Sequence, residues 1–207
     1  MITQKIEFIP RISKTSKMPC GSFSLPAQEC KTGSILAKIA GSVCHGCYAL
    51  KGNYRFPNVK KPRYENLELI NDLPAFERHM IDHLQKNEKS GYFRWHDSGD
   101  LQSIDHLKSI VFIAACLPHI KFWLPTKEKQ ILNEYKRQGG NFPDNLIVRL
   151  SMPMINMPPT DTEFLTSTVH TDQPIGTECN AYNQGGKCNE CRACWNAEIK
   201  NISYKKH

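Results

Sequence analysis

Nine cysteines carry most of the chemistry this 207-residue sequence can perform. They stand at positions 20, 30, 44, 47, 116, 179, 188, 191 and 194. Nine is odd, which excludes a complete set of internal disulfides. Cys44-His-Gly-Cys47 is one CxxC pair, and Cys188-Asn-Glu-Cys-Arg-Ala-Cys194 is a CxxCxxC run preceded by Cys179. A CxxC pair offers two thiolates to one centre without straining the backbone. In a reducing compartment that spacing points to metal ahead of disulfide. Cys30, Cys44 and Cys47 can hold an iron–sulfur cluster with one iron left open. With a fourth thiolate, and Cys20 is near in sequence, they can close a tetrahedral zinc site. Cys179, Cys188, Cys191 and Cys194 supply four soft ligands within sixteen residues, and Gly185-Gly186 supplies the tight turn. Short arms of this kind suit a cubane cluster, and zinc is the alternative. Cys116, in the apolar run IAACLPH, reads as a buried small hydrophobe.

A third motif is His96-Asp-Ser-Gly-Asp-Leu101. It reads three ways. His96, Asp97 and Asp100 can ligate a metal. Gly99 can let the backbone approach a ligand while Asp100 pairs with a cationic group. Or the motif is an acidic helix N-terminus. Trp95, Trp123 and Trp195 lie beside motif residues, to stack on a ligand or to fill the core. Arg149 falls in an apolar stretch, where its charge needs a partner. Met152, Met154 and Met157 read as a Met- and Pro-rich loop that fills gaps.

The elements that must position these groups show in the periodicity. Leu67, Leu69, Ile70, Leu73, Phe76, Met80, Ile81 and Leu84 recur at helical spacing, with Pro74 as a break or a new start. Residues 104–114 and 127–138 form further helices. Strands begin near 92, 120 and 146, and others lie at Ser22–Ala27 and near Thr166–His170. Strands alternating with helices at a step of 26–28 residues are βαβ units and predict a parallel sheet. The expected fold is α/β: a partial (β/α) barrel or an open parallel sheet of five to six strands, with Cys-rich N- and C-terminal segments. One domain is expected over 1–207, comprising a basic segment 1–63, a β/α core 64–150 and a Cys-rich segment 151–207. In such sheets ligands bind at the carboxyl ends of the strands. There the sequence places Cys30–Cys47, Asp97–Gln102, Pro125–Lys127 and Ser151.

Hydrophobic residues are 40% of the chain and charged residues 23%, which excludes wholesale disorder. No apolar run reaches the length of a membrane span, and the N-terminus lacks the apolar stretch of a signal peptide. A cytoplasmic protein is expected. The net charge is +7, and residues 1–65, with 11 basic and 3 acidic side chains, carry all the excess. Its densest part, Lys51–Arg63, suits nucleic acid, a small anionic ligand, or a solvated surface.

The segments MPCGSFSLPA, SVCHGCYALKGNYR, FRWHDSGDLQS, FWLPTKE, IVRLS and GGKCNECRACW together resemble the phage-encoded gene product eighty-eight family, from about Lys17 to the end. Their layout in turn resembles a shortened radical S-adenosylmethionine (SAM) protein. That likeness implies a partial barrel and a [4Fe–4S] cluster on Cys30, Cys44 and Cys47, spaced Cx13CxxC in place of the usual CxxxCxxC. It implies SAM on the open iron, with Ser98-Gly99-Asp100 receiving its amino group. Lys127 or Arg149 would meet its carboxylate or the substrate. Cys179, Cys188, Cys191 and Cys194 would hold an auxiliary cluster, and Cys20 is a further candidate ligand that would close the first one. The activity implied is SAM cleavage to modify a substrate such as a nucleotide or nucleic acid, in the host cytoplasm. The alternatives are a zinc- or cluster-stabilised nucleic-acid-binding protein without catalysis, and a hydrolase with a metal on His96, Asp97 and Asp100.

Overall fold

In the computed structural model, which describes residues 9–160 and 163–206, the elements run β1 (Ile12–Lys14), β2 (Gly21–Phe23), α1 (Lys31–Leu36), α2 (Pro57–Leu69), α3 (Leu73–Asn87), β3 (Tyr92–Trp95), α4 (Ile104–Cys116), β4 (Lys121–Thr126), α5 (Lys129–Arg137), β5 (Leu146–Ile155), β6 (Leu165–His170), β7 (Thr177–Glu178) and β8 (Asn201–Lys205). The strands form one open sheet in the order β1-β2-β3-β4-β5-β6-β8-β7. Only the β1–β2 pair is antiparallel. The expected α/β sheet is therefore present in its open form. It has eight strands because β1, β7 and β8 are short and lie in segments that read as irregular.

Alternation along the strands sorts the side chains onto two faces. Phe93 and Trp95 of β3, Phe122 and Leu124 of β4, and Leu146, Val148 and Leu150 of β5 join one core. That core takes Leu69 of α2, Phe76, Met80 and Leu84 of α3, Leu107 and Ile110 of α4, and Leu132 of α5. Burying each such Phe contributes roughly 2–3 kcal/mol, and Phe93, Trp95 and Phe122 also meet ring to ring at 5.2–6.1 Å. The opposite, inner face carries Tyr92 and Trp123, which pack with Met18, Cys20, Cys188, Cys194, Trp195 and Tyr204. Helices cover one face, and the segments carrying Met18–Cys20 and Cys188–Tyr204 pack on the other.

Helix starts follow their caps. The Asp72 carboxylate accepts from the Ala75 N–H at 3.1 Å, so Pro74 sits in the first turn of α3. The Ser103 hydroxyl accepts from the His106 N–H at 3.1 Å and opens α4. The basic segment expected over 1–63 enters helix α2 at Pro57, an entry that Pro57 and Pro62 hide in the sequence. Two expectations are corrected. Cys116 ends α4 at the surface and is exposed. Residues 151–155, with Met152 and Met154, extend β5; Pro153 is accommodated where the β5–β6 register shifts. Among the described residues no helix is long and apolar enough to cross a membrane.

Candidate functional site

The chain leaves β2 through Leu25 and a short turn at Ala27–Glu29, and Cys30 becomes the N-cap of α1. Two devices fix α1 at the carboxyl edge of the sheet. Glu128, just past β4, accepts from the Thr32 N–H at 2.9 Å and the Thr32 hydroxyl at 2.8 Å. Lys31 Nζ donates to the Gln102 carbonyl at 2.6 Å. The following loop is tied to the extension of β5: Val43 N–H donates to Pro153 O at 2.8 Å and Ile155 N–H to Gly41 O at 3.0 Å. Ser42 Oγ donates to Leu36 O at 2.5 Å and accepts from the His45 N–H at 3.0 Å. Cys44 and Cys47 close one turn, with Cys47 N–H on Cys44 O at 3.1 Å.

These ties bring Cys30 and Cys44 together across Gly33, with Cys47 one turn beyond Cys44. A Cβ on Gly33 would lie 2.9 Å from Cys30 Cβ, 3.6 Å from Cys30 Sγ and 3.8 Å from Cys44 Sγ. The space between those two sulfurs exists because position 33 has no side chain. Burial pushes the Cys30 thiol up, and Asp100, Cys47 and Cys44 add to it. Burial also raises Cys44, against the nearby Lys127 cation. A thiophilic metal, with its own positive charge, would reverse that balance and favour thiolates. Among the described residues, no three His, Cys, Asp or Glu side chains form a ready ligand set for a single metal ion. That holds for His96, Asp97 and Asp100 and for both cysteine sets alike.

Ser98-Gly99-Asp100 binds the ends of three strands together. Ser98 Oγ donates to Leu25 O at 2.9 Å and accepts from Arg63 Nε at 2.7 Å. Gly99 has φ +77°, and a Cβ there would lie 2.5 Å from Leu25 Cβ and 2.7 Å from Leu25 O. The close approach that glycine permits is thus to Leu25. Asp100 Oδ1 accepts from Thr126 Oγ1 at 2.5 Å and Leu101 N–H at 2.8 Å, and Oδ2 from Lys127 N–H at 2.8 Å. Burial still pushes its carboxyl up to about 6 against those three donors. Half-buried Lys127 stands beside Cys44.

Arg149 takes a different position from the one its resemblance implied. It is 0% exposed, on the inner face. Its Nε donates to Cys194 O, Nη1 to Thr166 O and Ile199 O, and Nη2 to Ala193 O and Asn196 O, at 2.7–3.4 Å. All five donors are engaged, so none is left for a carboxylate of a ligand. Five carbonyls replace the anionic partner, four of them in the segment carrying Cys194 and one, Thr166 O, in β6.

The C-terminal cysteines meet the N-terminal segment on this face. Cys188 N–H donates to Lys17 O at 2.8 Å, Cys179 N–H to Ser203 O at 2.9 Å, and Cys194 Sγ lies 3.3 Å from the Tyr204 hydroxyl. Burial pushes Cys194 up to about 12. It pushes Cys20 up to about 12 as well, with Glu88 and Cys188 adding to it. Cys20 therefore sits with the C-terminal set, away from Cys30. Trp123 and Trp195 are core, and Trp195 Nε1 donates to Phe93 O at 2.9 Å.

The family model described as Gene product 88 matches residues 3–197. The chain belongs to the Gene product 88 family. No curated protein and no solved structure matches it. In this family member, several groups near the site escaped sequence reasoning. Glu128 looked like an ordinary residue near a helix start. Arg63 lay within a run of basic residues, yet it is buried against Ser98 and reaches Asp97 Oδ2 at 3.5 Å. Arg94 stacks on Trp123 with Cζ 4.6 Å from the ring centroid. A charge between aromatics in a strand, as in Tyr-Phe-Arg-Trp, was a signal of the same kind as Arg149.

Proposed function

We propose that this protein is an iron–sulfur protein of radical-SAM type. The observation that carries the reading is the convergence of Cys30 and Cys44 across Gly33, with Cys47 one turn on, at the carboxyl edge of a parallel sheet. When bound there by the three thiolates, a [4Fe–4S] cluster would supply the electron that breaks a carbon–sulfur bond of SAM. The chain's own residues prepare the place. Glu128 and Thr32 hold the helix that carries Cys30. Val43 and Gly41, paired with β5, hold the loop that carries Cys44 and Cys47. Lys127 is the cation on offer to the carboxylate of SAM or to an acidic substrate; Arg149 is engaged elsewhere. Asp100 holds Thr126 and Lys127 in place through Oδ1 and Oδ2. The C-terminal segment that carries Cys179, Cys188, Cys191 and Cys194 supplies thiolates to a second centre, for an auxiliary cluster or for zinc.

The test is the iron, sulfide and zinc content of protein purified without oxygen. It is followed by an assay for 5′-deoxyadenosine from SAM with a one-electron reductant. Bound iron and sulfide that disappear in Cys30→Ala, together with SAM cleavage, support the reading. Zinc with no iron or sulfide overturns it.

A second reading is a metal-stabilised nucleic-acid-binding protein without catalysis. Exposed Lys51, Arg55, Lys60 and Lys61 favour it, since they could contact phosphates while Arg63 is turned inward. It requires salt-dependent binding of DNA or RNA, weakened by paired Lys60→Ala and Lys61→Ala changes, in protein that does not cleave SAM.

A further inference from the structure

The C-terminal segment offers four thiols, and the fold adds a fifth from 159 residues away in the sequence. Cys20 is 5% exposed on the inner face, in one apolar cluster with Cys188 and Cys194, walled by Met18, Trp123, Trp195 and Tyr204. The Cys188 N–H bond to Lys17 O anchors the Lys17–Cys20 stretch to the Cys188 loop. The Cys179 N–H bond to Ser203 O holds Cys179 beside β8, next to Tyr204, which Cys194 touches. Arg149 fixes the 193–199 backbone through four of its five carbonyl bonds. The sequence offers no such hint, because Cys20 stands nearest to Cys30.

We infer that Cys20 is a ligand of the second thiolate centre, completing with Cys179, Cys188 and Cys194 a four-thiolate set, and that Cys191 lies outside it. Five thiols compete for four positions. Cys191 is the exposed one of the five. Cys20 is the buried one, and water is excluded on its side. A centre shared between residue 20 and residues 179–194 would also clamp the two chain segments that cover the inner face. Soft thiolates of this number suit zinc or an iron–sulfur cluster.

The inference rests on the reading that this chain binds metal through its cysteines, and its test separates the two. Full-length wild type, Cys20→Ala, Cys191→Ala, Cys30→Ala and Cys116→Ala are purified without oxygen and their iron, sulfide and zinc per chain are measured. Circular dichroism reports folding. Cys20→Ala should lose the metal of one centre and keep the metal that Cys30→Ala loses, so the two variants divide the wild-type content between them. Cys191→Ala and Cys116→Ala should keep the full content. Retained first-centre metal shows that Cys20→Ala is folded; if it is not, Cys20→Ser and Cys20→Asp are measured in the same way. Full metal content in a folded Cys20 variant overturns the inference, as does loss of the second centre in Cys191→Ala. Loss from Cys20→Ala of the same metal as from Cys30→Ala would place Cys20 at the first centre and also overturn it. Wild type free of metal would sink the metal-binding reading itself.

Discussion

Glu128, one residue beyond Lys127, caps the N-terminus of the helix that carries Cys30, by accepting from both the N–H and the hydroxyl of Thr32. A carboxylate at a helix N-terminus also meets the positive end of the helix dipole. Glu128 is 6% exposed, so water does not replace those bonds if they are lost. Glu128→Gln keeps the shape but removes the charge and one strong acceptor. It should lower folding stability by about 1–2 kcal/mol and release metal from the proposed Cys30 centre sooner under a chelator. Urea unfolding and timed iron loss measure the two effects. Unchanged iron loss in the variant would separate Glu128 from the centre.

Gly33→Ala sets helix propensity against the site. Gly33 sits within α1 at an ordinary negative φ, where alanine favours a helix by about 0.5–1 kcal/mol over glycine. The added methyl, however, would lie 2.9 Å from Cys30 Cβ and in the space between two sulfurs. The variant should fold, while its iron content at the Cys30 centre falls severalfold. Metal analysis beside thermal unfolding shows whether the two responses part. Equal iron in variant and wild type would show that the space at Gly33 is not used.

Gly99→Ala should behave in the opposite way and act on the whole fold. Its φ of +77° disfavours any L side chain, and the new Cβ would meet the Leu25 backbone, which has no way to yield. A loss of about 3 kcal/mol is expected from the strain and the overlap together. A urea midpoint within error of wild type would contradict the close approach of β2 and β3 ends.

How far the sequence spoke follows from which interactions are local. β3, β4, β5 and the helices between them showed in periodicity, because alternate and every-third-or-fourth burial are local patterns. The site showed as residue types: cysteines at 30, 44 and 47, and an acid-glycine-acid turn at a strand end. What stayed hidden was long-range. The bonds of Val43 to Pro153 and of Glu128 to Thr32 join residues about a hundred positions apart. The extension of β5 was masked by Pro153, whose carbonyl is nonetheless what Val43 uses. Arg149 showed that a buried charge needs a partner, but five backbone carbonyls have no sequence signature. Cys20 lay near Cys30 in the chain and near Cys188 in the fold.

Arg149→Lys tests that five-carbonyl clamp. A lysine has three donors on one nitrogen and lacks the planar fork, so at least two of the five carbonyls, four of which lie in the 193–199 segment, lose their partner. Stability should fall by about 3 kcal/mol, as for a buried charge whose partners are removed. Amide exchange should quicken in residues 193–199 ahead of β3 and β4. Uniform exchange across the sheet would mean that Arg149 supports the core rather than the C-terminal segment.

His106 and His96 make folding depend on pH. Both are buried, with ring centroids 5.5 Å apart. Burial lowers His106 from 6.5 to about 3, and burial, then His106 and Arg94, holds His96 well below its ordinary value. The folded protein therefore keeps both rings neutral where the unfolded chain protonates them. The unfolded state binds more protons between pH 6.5 and 3, so stability is full above 6.5 and declines as pH falls through that window. His106→Phe keeps an aromatic edge toward Phe76, 5.6 Å from His106, and removes one titrating group. Urea midpoints at pH 8, 6.5 and 5 should fall less steeply in His106→Phe than in wild type. The thiols and any bound metal are common to both proteins, so the difference in slope isolates the ring. Parallel slopes would mean that His106 takes up its proton as readily in the folded state as in the unfolded one.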